Sequence, residues 1–479
     1  GFQNLTGLTC HQISVNRVSY PVQANGRFSC SDTQFNRLWQ AGADTVHACM
    51  HDAYMDCPTR EQRQYVADAY VQMLVNFAAF GDTKLAARML RQAAQSQRPN
   101  GLIMPAAPGD FARVSSFNIP DFTLYWIMAI EQYVLYSGDT AVLPELYLPV
   151  CKAITWFEQF LTADGLLANV PHWVFVDWAE LDKRGQVTAL NAQFVAALRA
   201  AAALARYSGC ADDVERFGET AVRVTKAINT HLWDEARGVY VDARHSRRIS
   251  QQSNAAVIAF GVAPPERWLR ILDVIMDAQR LVLTRLGDHD PAATAFDEAS
   301  DVVLAQPFYA HHLHAALRRV WAAKNAIGVE ALAGTFRLKP PLQVYLRRSL
   351  RRWEPMPDKN NGLFRETWQV GETTSLCHGW SATPTFDLSV AVLGVQPLTP
   401  GFDRTRIAPE PLGLAWAKGA FPTPHGAVVV DWRLENGRFM LNLVIPAGIE
   451  AEVTLPGETA VYVVGSGRHQ IFNHEGTKD

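Results

Sequence analysis

The feature that most constrains this chain is a series of helix-period segments filling residues 33 to 395. Asp32-Thr33 can cap the first, which carries Phe35, Leu38, Trp39, Ala43 and Val46 at i, i+3, i+4 spacing. Comparable patterns recur at 60–79, 83–96, 121–137, 141–163, 188–208, 212–232, 264–279, 302–321, 342–353 and 383–394. Breakers such as Gly81-Asp82, Pro99-Asn100-Gly101, Gly138-Asp139 and Ser208-Gly209 separate them. About a dozen helices in pairs of roughly 50 residues suit an (α/α)6 toroid or a helical solenoid. No repeated motif supports the solenoid, so a mainly α chain with a toroid over 33–396 is expected.

The two ends read as β-structure. Val428 to Leu434 alternates, Asn436-Gly437 supplies a type I′ turn, and Phe439 to Ile445 returns as a partner strand. Further strands at 449–455 and 460–464 predict a small antiparallel β-sandwich over 397–479. Residues 1–32 form an N-terminal extension, in which Ile13, Val15, Val18, Tyr20 and Val22 alternate and predict added strands.

Lys plus Arg (44) nearly balances Asp plus Glu (47), a net charge of −3 that argues against nucleic acid as a partner. The richest apolar stretch, Phe122 to Gly138, is broken by Glu131 and Gln132, so no membrane span is expected and the chain reads as soluble. Seven scattered cysteines without CxxC spacing predict free thiols in a reducing, cytoplasmic setting and no zinc site. Thirteen Trp suggest either a sugar-binding cleft or simply core, since flat rings match the apolar faces of pyranoses.

The densest chemistry lies in Asp56-Cys57-Pro58-Thr59-Arg60-Glu61-Gln62-Arg63-Gln64-Tyr65-Val66-Ala67-Asp68. Thr59 and Gln62 form a capping-box pattern that predicts a helix from Arg60, placing Glu61 and Asp68 on one face with Tyr65 between them. Three carboxylates facing one cleft raise one another's pKa, whereas the helix dipole would favour an ionised Glu61. The plain alternative is an ordinary acidic first turn with Arg60 and Arg63 as surface partners. A second cluster sets Glu366 and Trp368 before His378 and Trp380, and a third, His172 to Trp178, sets Trp173 and Trp178 beside Asp177. Asp121 opens an aromatic helix and is a weaker candidate. Glycoside hydrolysis needs one carboxyl as acid and one as base or nucleophile across the scissile bond. The first and last helices of a closed toroid are neighbours, so residues 61 and 366 could meet. His311 and His314 share a helix face, but without a Cys or Glu ligand at helical spacing they read as structural. Cys57, without a positioned histidine, reads as a small buried residue.

The runs DCPTREQRQYVADA, HWVFVDW, FRETW and SLCHGWSATPTFDLSVAVLGV resemble the catalytic domain of bacterial α-L-rhamnosidases, glycoside hydrolase family 78. The resemblance extends from YPVQANGRFSCSD to PGFDRTRIAPEPLG, over nearly the whole chain. It implies an inverting exo-hydrolase of terminal α-L-rhamnose, acting on rhamnose-containing glycosides or oligosaccharides without cofactor or metal. By the matching positions Glu61 would be the general acid and Glu366 the general base. Asp56, Arg60, Asp68 and Asp177 would hold hydroxyls, Trp178 would pack on the sugar's apolar face, and His378 would assist the base; Trp173 and Trp368 would line the cleft. Many members carry one more residue between the motif's Arg and the acid; here Glu61 follows Arg60 directly and Gln62 comes after. The family's usual N-terminal β-sandwich domains are not expected here, which points to small glycosides rather than polymers. Rival readings are a uronate lyase using Tyr65 and His378, and a noncatalytic sugar-binding protein.

Overall fold

The structure, a computed structural model, describes residues 9, 11–16, 18–110, 117–284, 296–327, 341–371 and 373–473, with the side chains of 324–327 left aside. Its helices are α1 (Thr33–Cys49), α2 (Val66–Ala79), α3 (Lys84–Gln95), α4 (Pro120–Ser137), α5 (Leu143–Glu158), α6 (Thr188–Tyr207) and α7 (Ala211–His231). They continue with α8 (Gln251–Ala259), α9 (Pro265–Ile275), α10 (Pro307–Ile327), α11 (Leu342–Arg351), the short α12 (Pro355–Lys359) and α13 (Thr383–Ala391).

Among the described residues α2, α4, α6, α8, α10 and α13 form a ring in which each touches the next and α13 closes onto α2. Around it α1 packs on α13, α3 on α4, α5 on α6, α7 on α6, α9 on α8 and α11 on α10. This is the expected toroid. Inner and outer helices differ in sequence for a physical reason. Every residue of α2 and α13 is buried, so neither turns a face to solvent. Outer α3 buries only Leu85, Ala86, Ala87, Met89, Leu90 and Ala93. The periodicity argument therefore missed α8, an inner helix buried from Gln251 to Ile258 and carrying no apolar stripe. Helix α6 is long and apolar enough to cross a membrane, with a mean hydropathy of 1.2, yet 78% of that window is buried in the fold. It outranks the stretch at Phe122 to Gly138 that sequence reading singled out.

Two sheets follow the toroid. One has the order β1 (Arg27–Cys30), β8 (Trp416–Thr423), β9 (Gly426–Glu435), β10 (Arg438–Ile445) and β13 (Gly467–Phe472). The other runs β12 (Tyr462–Val464), β11 (Glu450–Val453), β7 (Arg404–Ile407) and β6 (Val395–Pro397). Short strands β2 to β5 lie within the helical part as two pairs, Trp233–Asp234 with Val239–Tyr240 and Leu281–Val282 with Val302–Val303. The β9–β10 hairpin turns at Asn436 and Gly437, both at positive φ (53° and 79°), as a type I′ turn requires. Two expectations need correction. The second sheet is mixed, because β7 and β11 run parallel. The alternation through Ile13, Val15 and Val18 makes no strand; those side chains are 70%, 89% and 72% exposed, having no sheet edge to bury them. Among the described residues before α1, Arg27–Cys30 alone forms a strand, antiparallel to β8, which stitches this segment into the C-terminal sheet.

Candidate active site

Asp56 to Pro58 is loop as expected, but the helix expected from Arg60 is not formed over 60–65; α2 begins only at Val66. The local polar groups explain why. Asp56 Oδ1 accepts from Arg63 N at 2.8 Å, Asp56 N donates to Arg63 O at 2.8 Å, and Gln62 Nε2 donates to Pro58 O at 2.7 Å. These bonds compete with helical pairing. Gln62 sits at φ 55°, outside the right-handed helix, and Tyr65 is extended and paired with Ala106. Glu61 and Asp68 are thus not two positions on one helical face, and no helix dipole acts on Glu61. A closed loop brings Glu61 to the site instead, while Asp68 enters from the first turn of α2.

The opposite wall comes from residues 364–380, some 300 positions later. Glu366 N donates to Ser375 O at 3.0 Å, Ser375 N donates to Glu366 Oε2 at 2.9 Å, and Trp380 Nε1 donates to Glu366 O at 2.9 Å, which fixes the carboxylate. Gly379 N donates to Asp56 O at 2.9 Å, joining the two walls. A side chain at 379 would place its Cβ 2.3 Å from Gln72 Cδ, so the close approach to α2 demands glycine.

Between the walls is a cavity of about 200 Å³ lined by Asp56, Arg60, Glu61, Tyr65, Asp68, Glu366 and His378, with Phe117, Ile119, Phe122, Trp173, Phe175, Trp178 and Trp380 as its apolar sides. A larger groove of about 870 Å³ lies between α1 and β8–β9, but it gathers no comparable set of buried acids. Arg60 organises the small cavity. Its Nη2 lies 2.9 Å from Glu61 Oε1 and 3.0 Å from Glu366 Oε2, while its Nε donates to Ser375 Oγ at 3.1 Å. The nearest oxygens of the two glutamates are therefore no more than about 6 Å apart, a bound that includes the roughly 5–5.5 Å of retaining pairs and lies below the roughly 6.5–9.5 Å of inverting ones. Arg63 Nη1 reaches Glu61 Oε2 at 3.3 Å and also pairs with Asp110. His378 Nε2 meets Asp68 Oδ1 at 2.9 Å, both fully buried. Burial pushes Asp68 up to about 7 against the opposing His378 contact. Burial alone would lower His378, but the carboxylates of Asp68, Glu366 and Asp56 raise it.

Not every expected residue reaches the cavity. Asp177 does not line it: Oδ2 accepts from Gln252 Nε2 at 2.7 Å and Gln306 N at 2.9 Å, and Oδ1 accepts from Trp178 N at 3.0 Å. Trp368 is also elsewhere, with N bonded to Gln306 Oε1 (3.1 Å), Nε1 to Ala305 O (2.7 Å) and its ring edge-on to Trp353. Linked through Gln306, both form a support behind the aromatic wall rather than sugar contacts. Asp121 has a similar part, accepting from Phe175 N (3.1 Å) and Val176 N (2.9 Å). It thereby holds Val176 at φ 56°, a costly conformation for a β-branched residue that sets Phe175 and Trp178 toward the cavity. Sequence reading missed Phe117, Ile119, Phe122 and Phe175, because their spacing along the chain carries no sign that they converge. The histidines of α10 all have protein partners: His311 with Thr383, His312 with Tyr125, His314 with Asp387 and Ser349.

A closed ring of paired helices with a carboxylate-lined, aromatic-walled pocket at the ends of its inner helices defines a six-hairpin glycosidase domain. Residues 23–273 match the bacterial α-L-rhamnosidase six-hairpin glycosidase domain, and residues 394–470 match the bacterial α-L-rhamnosidase C-terminal domain. The chain belongs to the bacterial α-L-rhamnosidase family. An α-L-rhamnosidase of Formosa agariphila is 22% identical over 461 residues, covering 91% of this chain and 45% of that protein. The crystal structure of a GH78 family rhamnosidase from Bacillus sp. GL1 superposes with a TM-score of 0.77 at 28% identity, covering 92% of this chain and 43% of that one. The rhamnosidase of Streptomyces avermitilis complexed with L-rhamnose shares the fold, with a TM-score of 0.69 at 17% identity, covering 95% of this chain and 42% of that one. This chain thus spans a little under half the length of these relatives.

Proposed function

We propose that the protein is an inverting exo-glycoside hydrolase releasing terminal α-L-rhamnose from small rhamnosides and rhamnose-containing oligosaccharides. The observation that carries the hydrolase reading is the Glu61–Arg60–Glu366 bridge at the small aromatic cavity, while inversion rests on the resemblance of the DCPTREQRQYVADA and FRETW runs to glycoside hydrolase family 78. At about 200 Å³ the cavity is smaller than the roughly 300–1,000 Å³ of pockets for drug-sized ligands, which suits one sugar ring and hence exo action. The relatives named as rhamnosidases, one of them holding L-rhamnose, support the choice of sugar.

Glu61 gives its proton to the glycosidic oxygen as the bond to the aglycone breaks, and Glu366 takes a proton from the water that attacks the anomeric carbon from the opposite face. Glu366 is held rigidly for this, while Glu61 sits on a loop that can follow the leaving group. Asp56, Arg60, Asp68 and His378 offer charged partners to the hydroxyls, and Trp173 and Trp178 offer flat apolar area to the ring and its methyl. The free thiols of the six described cysteines favour work in a reducing compartment.

A panel of aryl α-L-rhamnoside, α-L-mannoside and α-D-glucoside tests the reading. The rhamnoside alone should be cleaved, with proton NMR showing the β-anomer of rhamnose first. Cleavage of none of the three would overturn the activity, and α-rhamnose as the first product would overturn inversion. A second reading, with Asp68 as the acid, draws on its raised pKa. It would require Asp68→Asn, rather than Glu61→Gln, to show losses that grow with leaving-group basicity.

A further inference from the structure

Behind the cavity floor the fold supplies what the sequence around Cys57 lacks, a positioned histidine. The Cys57 sulfur, an Asp56 carboxylate oxygen and a His378 ring nitrogen lie within 4.8 Å of one another, and all three residues are buried. Two of these groups are unspent. Asp68 occupies His378 Nε2, and neither the other ring nitrogen, Nδ1, nor Asp56 Oδ2 has a hydrogen-bond partner. Asp56 is 1% and His378 2% exposed, so water does not freely satisfy either atom. Leaving a buried polar atom unpaired is costly, and both of these atoms belong to members of the trio.

The donor chemistry is specific. One sulfur, one imidazole nitrogen and one carboxylate oxygen make the mixed set that zinc-like ions favour, with three protein ligands and a fourth position open toward the cavity. Asp68 on the far ring nitrogen reproduces the carboxylate support that orients metal-bound histidines. Ligands at roughly 2.0–2.3 Å from a shared ion stand about 3–4 Å apart, inside the 4.8 Å that bounds these three. A nucleophilic role for Cys57 fits less well, since burial and the Asp56 carboxylate push its thiol up rather than down.

We propose that Asp56, Cys57 and His378 form a site for a thiophilic divalent cation such as Zn²⁺ or Cd²⁺, and that its occupancy blocks the sugar cavity. On binding, the Cys57 S–H bond breaks, its proton leaves to solvent and a sulfur–metal bond forms, with no change of oxidation state. Asp56 and His378 then face the ion instead of a sugar. The effect on hydrolysis rests on the proposed activity; the binding of metal does not.

The test titrates the reduced, chelator-stripped full chain with CdCl₂ and follows the ultraviolet thiolate-to-cadmium charge-transfer band. The expected result is a saturable component lost in Cys57→Ala and kept when Cys49 and Cys377 are both replaced by Ala. That pair, with sulfurs 3.9 Å apart, is the rival thiol site nearby. His378→Ala should weaken the same component while leaving the thiol in place, which guards against a Cys57 variant that fails to fold. Asp68→Asn should weaken it by about 10- to 100-fold. A band unchanged in Cys57→Ala, or lost only with Cys49 and Cys377, overturns the proposal. In aryl-rhamnoside assays Zn²⁺ should inhibit the native chain and chelator should restore it, whereas Cys57→Ala, which loses the acceptor of the Glu61 N–H at 3.4 Å, should show the same rate with and without Zn²⁺. Cadmium binding at Cys57 in a chain that cleaves no glycoside would leave the metal site standing and remove the hydrolase reading.

Discussion

Replacing Glu366 by Gln separates chemistry from stability. The substitution keeps the shape of the side chain and leaves an oxygen to accept from Ser375 N, now 2.9 Å from Oε2. What disappears is the charge that Arg60 faces at 3.0 Å. Arg60 is 38% exposed and retains Glu61 as a partner, so solvent screening limits that loss to no more than about 1 kcal/mol. For a chain of this size such a loss moves Tm by about 2 °C or less. Loss of a general base costs a rate factor of about 10²–10⁴, equivalent to about 2.7–5.5 kcal/mol at the transition state. The two magnitudes differ enough to be told apart by calorimetry and by steady-state kinetics on aryl α-L-rhamnosides. A base takes its proton from water, so the loss in Glu366→Gln should be uniform across leaving groups. In Glu61→Gln it should be small for the most acidic phenols and grow as the phenol becomes more basic. If Glu366→Gln keeps more than about a tenth of the native rate with its fold intact, the base assignment fails. If Glu61→Gln loses the same factor with every phenol, Glu61 is not the acid.

The buried Asp68–His378 pair gives a stability prediction. Both groups have raised pKa values in the folded state, so folding takes up protons between about pH 4 and 7, and the stabilisation present at low pH is lost as pH climbs through about 7. Asp68→Asn should flatten the fall of denaturation free energy with pH by up to about 1.4 kcal/mol per pH unit in that window; an unchanged slope would contradict the raised values. Trp178 Nε1 is buried without a partner, so Trp178→Phe, which keeps the flat ring but not the donor, should raise KM for the rhamnoside about tenfold, and an unchanged KM would mean that no hydroxyl accepts from it. Asp387 accepts from Thr383 and meets both His314 and Arg318 inside the core. Asp387→Asn should cost about 3–5 kcal/mol in urea unfolding, since Arg318 would lose its buried counter-charge; a cost below about 1 kcal/mol would refute that account.

Helical periodicity and the Asn436-Gly437 turn were enough to expect a toroid followed by a sandwich, because amphipathic spacing and turn chemistry are local properties. The same local reasoning failed at α8, where burial is complete, and near Ile13, where it is lacking. Helix α8 shows no stripe because all its faces are covered, and the alternating residues near Ile13 stay exposed because no strand lies beside them. Glu61, Asp68, Glu366 and His378 stood out in the sequence as chemistry-bearing residues, but the reason first given for joining Glu61 to Asp68, a common helical face, does not hold. A loop closed by Asp56 and Arg63 joins them instead.

The sequence by itself determined which residue types could do the chemistry and that helices would carry most of the chain, since composition and periodicity are written along it. Tertiary structure alone decided that Arg60 bridges two glutamates 305 positions apart, that Asp177 and Trp368 stand behind the cavity wall, and that Cys57 acquires a histidine neighbour. Those outcomes depend on ring closure of α13 onto α2, a contact between distant segments on which no local pattern reports.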